Sequence, residues 1–413
     1  MGKWMVAAAA ICLASCAPPA QHPRQQIDPQ LRAEIWNTKA IDNHAHPMRE
    51  FGANDPDHEF DALPVEAMEE APMAIRLDPS NPEYRAEKSI RERGDGYPIR
   101  VLDRLHIDIM LANRVAMGRG LPANRFRWVP FADALIFPLN NESLGKRDPD
   151  RKNFFAAETK LLQRYLSESG QPALPGSLGG YLRFVTSVLE RQRSQGAIAE
   201  KFEVAYLRAL DFGNPAKADA ERVYARGGVP SDADYKTLQD YLFRYVAAEC
   251  GRLGMPVHVH SCAGAGSYFD VAGANPLLME PLFDDPALRK TKFVLIHGGW
   301  PFIDGTTALL TKPNVWADYS LQTLLVQPRE LSETLRRWLE FMPNKVLFGT
   351  DASPITAEVG WEESGWLSAE SGRDALGMAL TAMLRDQEID RQRASQLAQM
   401  VLRDNARQLY GWK

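Results

Sequence analysis

IDNHAHP, residues 41–47, sets two histidines one residue apart at the head of a globular chain. On an extended strand, side chains alternate between faces. His44 and His46 therefore point one way, and Asn43 and Ala45 the other. Two imidazoles converging on one point are half of a divalent-metal site, which takes histidine nitrogens and carboxylate oxygens. A polar strand end accounts for the pair equally well, so its meaning depends on the rest of the chain.

The chain has only eight histidines among 413 residues. Random placement at that frequency gives roughly 0.15 His-x-His pairs. The sequence has two, the second being His258/His260 in MPVHVH (255–260). His297 ends a further apolar run, KFVLIHG (292–298), and Asp351 ends KVLFGTD (345–351). Each of the four sites stands at the C-terminal end of an expected strand.

From residue 38 onward, short apolar runs alternate with amphipathic stretches, the signature of a parallel α/β protein. The other strand candidates are 39–46, 107–115, 126–133, 197–206 and 314–320. Helices are expected at 153–168, 181–194, 235–252, 303–311, 328–340, 370–385 and 389–409. Eight strands with intervening helices predict a (β/α)₈ barrel with enlarged loops on its C-terminal face and C-terminal helices. No Gly-rich phosphate loop follows the first strand to favour a doubly wound sheet. Connections 48–97 and 207–232 both follow strands, so they are expected to wall the pocket on the catalytic face. The barrel also sets Cys250 and Cys262 at opposite ends of strand 5, about 20 Å apart, beyond the reach of a disulfide.

These motifs, IDNHAHP, PVHVHSCAG, VLIHGGWPF and VLFGTDASP, resemble in order those of the amidohydrolase superfamily, in its amidohydrolase-related (type 2) branch, over residues 38–411. The resemblance implies that His44 and His46 are strand-1 metal ligands and His260 the strand-5 ligand. It makes His297 a second-metal ligand or a catalytic residue, and Asp351 a metal ligand that shuttles a proton. His258 lies two residues deeper than His260 and is expected to pack inside the barrel. Lys201 shares a strand face with Glu203. In binuclear members a carbamylated lysine at this place bridges two ions, whereas an unmodified Lys201 forms an ion pair with Glu203. The cofactor implied is therefore one or two divalent ions, zinc first. The activity implied is hydrolysis of a C–N or ester/lactone-type bond of a small molecule. Two alternatives stand beside it: a mononuclear-metal non-oxidative decarboxylase, and a non-catalytic ligand-binding lipoprotein. Asp318 lines the pocket or hydrogen-bonds beneath it, and Arg208 forms a loop salt bridge.

The N-terminus reads differently. MGKWMVAAAAICLASC (1–16) has one lysine, an apolar run and small residues before Cys16, the layout of a secretory signal. LASC resembles the bacterial lipoprotein signal, with Cys16 as the lipidated residue, which predicts an extracytoplasmic protein held to the membrane by acyl chains. Residues 17–37 are expected to form a flexible tether. A net charge of −5 with no long basic run argues against a nucleic-acid partner. The sequence carries no signal for oligomeric state.

Overall fold

The computed structural model describes residues 26–49, 59, 61–63, 96–264, 266–355 and 359–412. The signal-like segment with Cys16, the first part of the expected tether, and most of the 48–97 connection lie outside the described residues.

Each expected strand run contains a strand. They are β1 (Ala40–Ala45), β2 (Ile107–Asn113), β3 (Phe126–Val129), β4 (Glu200–Phe202), β5 (Val257–His260), β6 (Phe293–Ile296), β7 (Val315–Asp318) and β8 (Val346–Leu347). All pair in parallel, β1 to β3 in one run and β4 to β8 in another. Backbone hydrogen bonds join the two runs. Between β3 and β4, Lys201 N donates to Pro130 O and Ala132 N to Lys201 O, both at 2.8 Å. Between β8 and β1, Asn43 N donates to Phe348 O (2.9 Å), Asp351 N to His44 O (2.8 Å) and His46 N to Ala352 O (2.7 Å). The eight strands thus form a (β/α)₈ barrel.

Ile41, Leu111, Val129, Ala199, Val294, Ile296 and Leu347 fill the barrel interior. These are bulky apolar residues in layers contributed by different strands, so the barrel is a packed core. The helices α1 (Pro29–Asn37), α2 (Tyr97–Arg104), α3 (Lys152–Glu168), α4 (Leu178–Ser194), α5 (Lys217–Arg226), α6 (Asp232–Leu253), α7 (Ile303–Leu309), α8 (Pro328–Phe341), α9 (Trp361–Arg385), α10 (Arg391–Gln399) and α11 (Asn405–Tyr410) are the longer ones outside it. In α8, Leu331, Leu335, Trp338 and Leu339 are buried, a stripe at helical spacing, and Pro328 opens the helix where a missing N–H costs nothing. Fully burying one such side chain contributes about 1.5–3 kcal/mol. Helix α6 starts on the Ser231 side chain, which accepts from Asp234 N, and stops at Gly254 in the left-handed conformation.

Three expectations change. Residues 26–37 are not part of a flexible tether: Leu31 and Ile35 of α1 are buried, and Arg391 holds the N-cap Asp28 at 2.7 and 2.5 Å. Helix α9 begins at Trp361, well before residue 370, and is buried along most of its length. Its Gly377 backbone lies so close to α1 that a Cβ would sit 2.8 Å from Ile27. The last helical stretch is broken by a π turn, Met400–Asp404, ahead of α11. Connection 207–232 carries α5 and packs back on α6, where Asp240 accepts from Gly213 N at 3.0 Å. Cys250 and Cys262 are both buried and free.

Candidate metal centre

The strand ends of this barrel collect the histidines, and β1 shows how. Ile41 lies in the barrel interior, and so does Asn43, whose amide donates to Asp318 Oδ2 at 2.8 Å. Strict alternation would then turn His44 away. A register shift between Asp42 and Ala45 instead resets the alternation, so His44 and His46 also face inward. Asn43 therefore does not point away from the histidines, contrary to the simple strand reading. The irregularity is held from just beyond β8, where Thr350 N (2.9 Å) and its hydroxyl (2.5 Å) donate to Asp42.

Three ligand atoms meet at the top of the barrel. His44 Nε2 lies 3.3 Å from His46 Nε2. Asp351 Oδ1 lies 3.2 Å from His44 Nε2 and 3.6 Å from His46 Nε2. Ligands about 2.0–2.2 Å from a tetrahedral ion lie roughly 3.4 Å from one another, so this triangle has the dimensions of one face of a zinc-type site. His297 belongs to the same cluster, within 4.8 Å of His44 and Asp351 in ligand atoms. His260 stands against His297, with ring centroids 4.7 Å apart. The residues fit a divalent ion.

The outer nitrogens are tied down, as metal-bound histidines require. His46 Nδ1 sits 2.6 Å from Asp61 Oδ2, leaving Nε2 for the triangle. Asn113 lies against His44 Nδ1 with its amide nitrogen 2.8 Å away; ligation through Nε2 requires this amide turned over, so that Oδ1, which otherwise has no partner, accepts from Nδ1–H. His260 Nε2 donates to the Cys262 carbonyl at 3.0 Å, so its lone pair is on Nδ1. Ser320 Oγ donates to Asp318 Oδ1 at 2.6 Å and can then only accept from His297 Nδ1, at 2.8 Å. That contact sets the His297 lone pair on Nε2. Asp318 also accepts from His297 N at 2.9 Å, so it hydrogen-bonds beneath the pocket. His258 is packed deeper, with Nε2 2.7 Å from the Tyr410 hydroxyl.

His297 and Asp351 both adopt left-handed backbone conformations, φ +67° and +57°. For residues other than glycine this costs on the order of 1–3 kcal/mol each, and such strain gathers at functional sites. Burial drives the pKa of His44, His260 and His297 well below that of free histidine; the charge of Lys201 adds to this at all three, and at His297 that of His260 as well. These rings are therefore in the neutral, ligating form. Burial opposes charging His46 too, but the adjacent Asp61 carboxylate overrides it and raises its pKa. Burial lifts Asp351 to about 6.

Lys201 enters the same pocket from β4, with Nζ 3.3 Å from Glu203 Oε1 and both side chains buried. His46, Asp61 and Glu203 form a second group of possible ligands within 4.8 Å. Arg208 pairs with Asp240 at 2.8 Å in its loop, as expected. Sequence reasoning missed Asp61, Asn113 and Ser320. Ser320 was within reach of it, two residues beyond Asp318 at the end of a quoted strand. Asp61 follows no strand or helix pattern and carries no such signal.

A family model described as Amidohydrolase matches residues 180–412, more than half of the chain. No curated protein matches. Among solved structures, a Lactobacillus casei ATCC 334 protein assigned as a metal-dependent hydrolase is similar, at 16% identity and TM-score 0.62, covering 92% of this chain and 97% of its own. Glucuronate isomerase from Caulobacter crescentus gives 12% identity and TM-score 0.60 over 95% and 97% of the two chains. Uronate isomerase from Thermotoga maritima gives 13% and 0.57 over 94% and 99%. At such identities the likeness is one of fold, and it covers the barrel strands that precede residue 180 as well. The family match and the barrel around its histidines lead to one conclusion: this chain is a member of the amidohydrolase family of metal-dependent enzymes.

Proposed function

We propose that this protein is a metal-dependent hydrolase that uses water to cut a C–N or ester/lactone-type bond of a small molecule. The observation that carries this reading is the triangle of His44 Nε2, His46 Nε2 and Asp351 Oδ1, with edges of 3.2–3.6 Å. Three protein ligands leave a coordination position open, as in catalytic rather than structural sites. A divalent ion held there supplies Lewis acidity and lowers the pKa of water to about 7.

The remaining work falls to side chains. Asp351 is the proton carrier: it takes a proton from the attacking water and returns it to the leaving group. Asp61 fixes the His46 ring, and the Asp318–Ser320 pair fixes that of His297. With Nδ1–H given to Ser320, neutral His297 offers the pocket an acceptor at Nε2. It suits an ion or a proton rather than a substrate carbonyl. The test is to assay metal-loaded protein on amides, esters and lactones in ¹⁸O-labelled water. Label in the product carboxylate supports hydrolysis.

One observation favours a second reading. Lys201 Nζ lies 3.3 Å from Glu203 Oε1, and a lysine kept in that contact bridges no ions, which leaves a single-ion site, the pattern of a non-oxidative decarboxylase. CO₂ release without ¹⁸O incorporation decides for it. We propose further that Cys16 is lipidated and holds the enzyme to a membrane outside the cytoplasm.

A further inference from the structure

Hydrolysis of a carbonyl compound is speeded by a hydrogen-bond donor to the oxygen that becomes negative, and His297 is oriented as an acceptor. Tyr206 supplies what is missing. It ends the short turn Val204–Tyr206 that follows β4, at the same end of the barrel as the metal ligands. Its ring is held on several sides: centroids lie 4.5 Å from His260, 5.2 Å from Phe269 and 6.3 Å from Phe154. Despite this, the residue is partly exposed. Its backbone N–H is spent on Glu203 O at 2.9 Å, while its hydroxyl has no hydrogen-bond partner among the described residues. Through its ring contact with His260, Tyr206 stands beside the metal ligands.

The hydroxyls of Tyr165, Tyr181, Tyr235 and Tyr410 are bonded within the protein, at 2.6–2.8 Å. Tyr319 also has an unbonded hydroxyl, but it is sealed in the core, whereas Tyr206 is partly exposed. A tyrosine with a clamped ring and an uncommitted O–H beside a metal centre is preorganised to donate to something that arrives.

We propose that Tyr206 is a catalytic residue whose hydroxyl hydrogen-bonds the carbonyl oxygen of the substrate and stabilises it as it becomes an oxyanion. The inference rests on the hydrolase reading above. The water oxygen bonds to the carbonyl carbon, the C=O π pair moves onto oxygen beneath the Tyr206 O–H, and the water proton goes to Asp351. The pair then re-forms C=O, the C–N or C–O bond breaks, and the leaving group takes the proton from Asp351. Tyr206 donates a hydrogen bond throughout and transfers no proton.

The experiment compares metal-loaded wild type with Tyr206→Phe, which keeps the ring contacts and loses only the hydroxyl. Two probes are used: 4-nitrophenyl acetate turnover, and binding of phenylphosphonate, a tetrahedral anion, by calorimetry. Metal content and melting temperature are expected to match wild type. A kcat lower by about 100-fold with KM within about twofold, and a phenylphosphonate Kd weaker by about tenfold, support the proposal. Equal kcat and equal Kd in the two proteins overturn it. If wild type hydrolyses no amide, ester or lactone, the hydrolase reading falls while the phosphonate comparison still decides for or against Tyr206. No phosphonate binding by wild type overturns the proposal as well.

Discussion

At the scale of single residues, the site divides into groups that hold the ion and groups that hold those ligands. Asp351 has a second task besides: its Oδ1 closes the triangle, and in the proposed mechanism its carboxylate carries the proton. Asp351→Asn keeps the shape and loses the base, so kcat should fall by at least about 100-fold with the fold intact, as read by steady-state kinetics and circular dichroism. Retained turnover contradicts the mechanism. Asp61 acts through His46, at 2.6 Å from Nδ1. Asp61→Asn should weaken metal affinity by about 10–100-fold in a competition titration with a chelator, the usual cost of losing the partner of a ligating histidine. Unchanged affinity removes Asp61 from the site. The proposed ligands were legible in sequence because chemistry restricts them to histidine and aspartate and topology restricts them to strand ends. Their supports were not: a carboxylate or amide within hydrogen-bond reach can come from any part of the chain, and Asp61 comes from a stretch without periodicity.

At the scale of elements, local pattern sufficed for the strands and failed at two places. One is β1, where strict alternation turns Asn43 away from the histidines. The register shift is held by Thr350, three residues beyond β8, a contact more than 300 residues distant that no strand rule contains. The other is the C-terminal helices, where buried glycines obscure α9 and a π turn interrupts the final stretch. Helix α11 gains its importance from a single residue. Tyr410 donates to Asn43 Oδ1 at 2.6 Å and meets His258 Nε2 at 2.7 Å, so the end of the chain is bonded to two barrel strands from inside. Tyr410→Phe leaves two buried groups without a partner and should cost about 1–3 kcal/mol, seen as a lower denaturant midpoint with an unchanged slope. A midpoint equal to that of wild type shows that the hydroxyl is dispensable.

At the scale of the whole molecule, a barrel of eight parallel strands concentrates their C-terminal ends, so four motifs spread over some 300 residues become one pocket. The metal chemistry follows from that concentration, not from any one motif. IDNHAHP alone remains half a site. The proposed attachment is a separate matter and rests on residues 1–16: Cys16→Ser should abolish incorporation of labelled palmitate in cells and release the protein from the membrane fraction. Labelling that survives the substitution contradicts acylation at Cys16.

The central claim is that His44, His46 and Asp351 hold one catalytic ion, and anomalous scattering from metal-replete crystals tests it most directly. The account predicts a peak about 2.0–2.2 Å from His44 Nε2, His46 Nε2 and an Asp351 carboxylate oxygen, with Lys201 unmodified or carbamylated according to whether one ion or two are present. Metal-replete crystals with no anomalous peak at that triangle would contradict it.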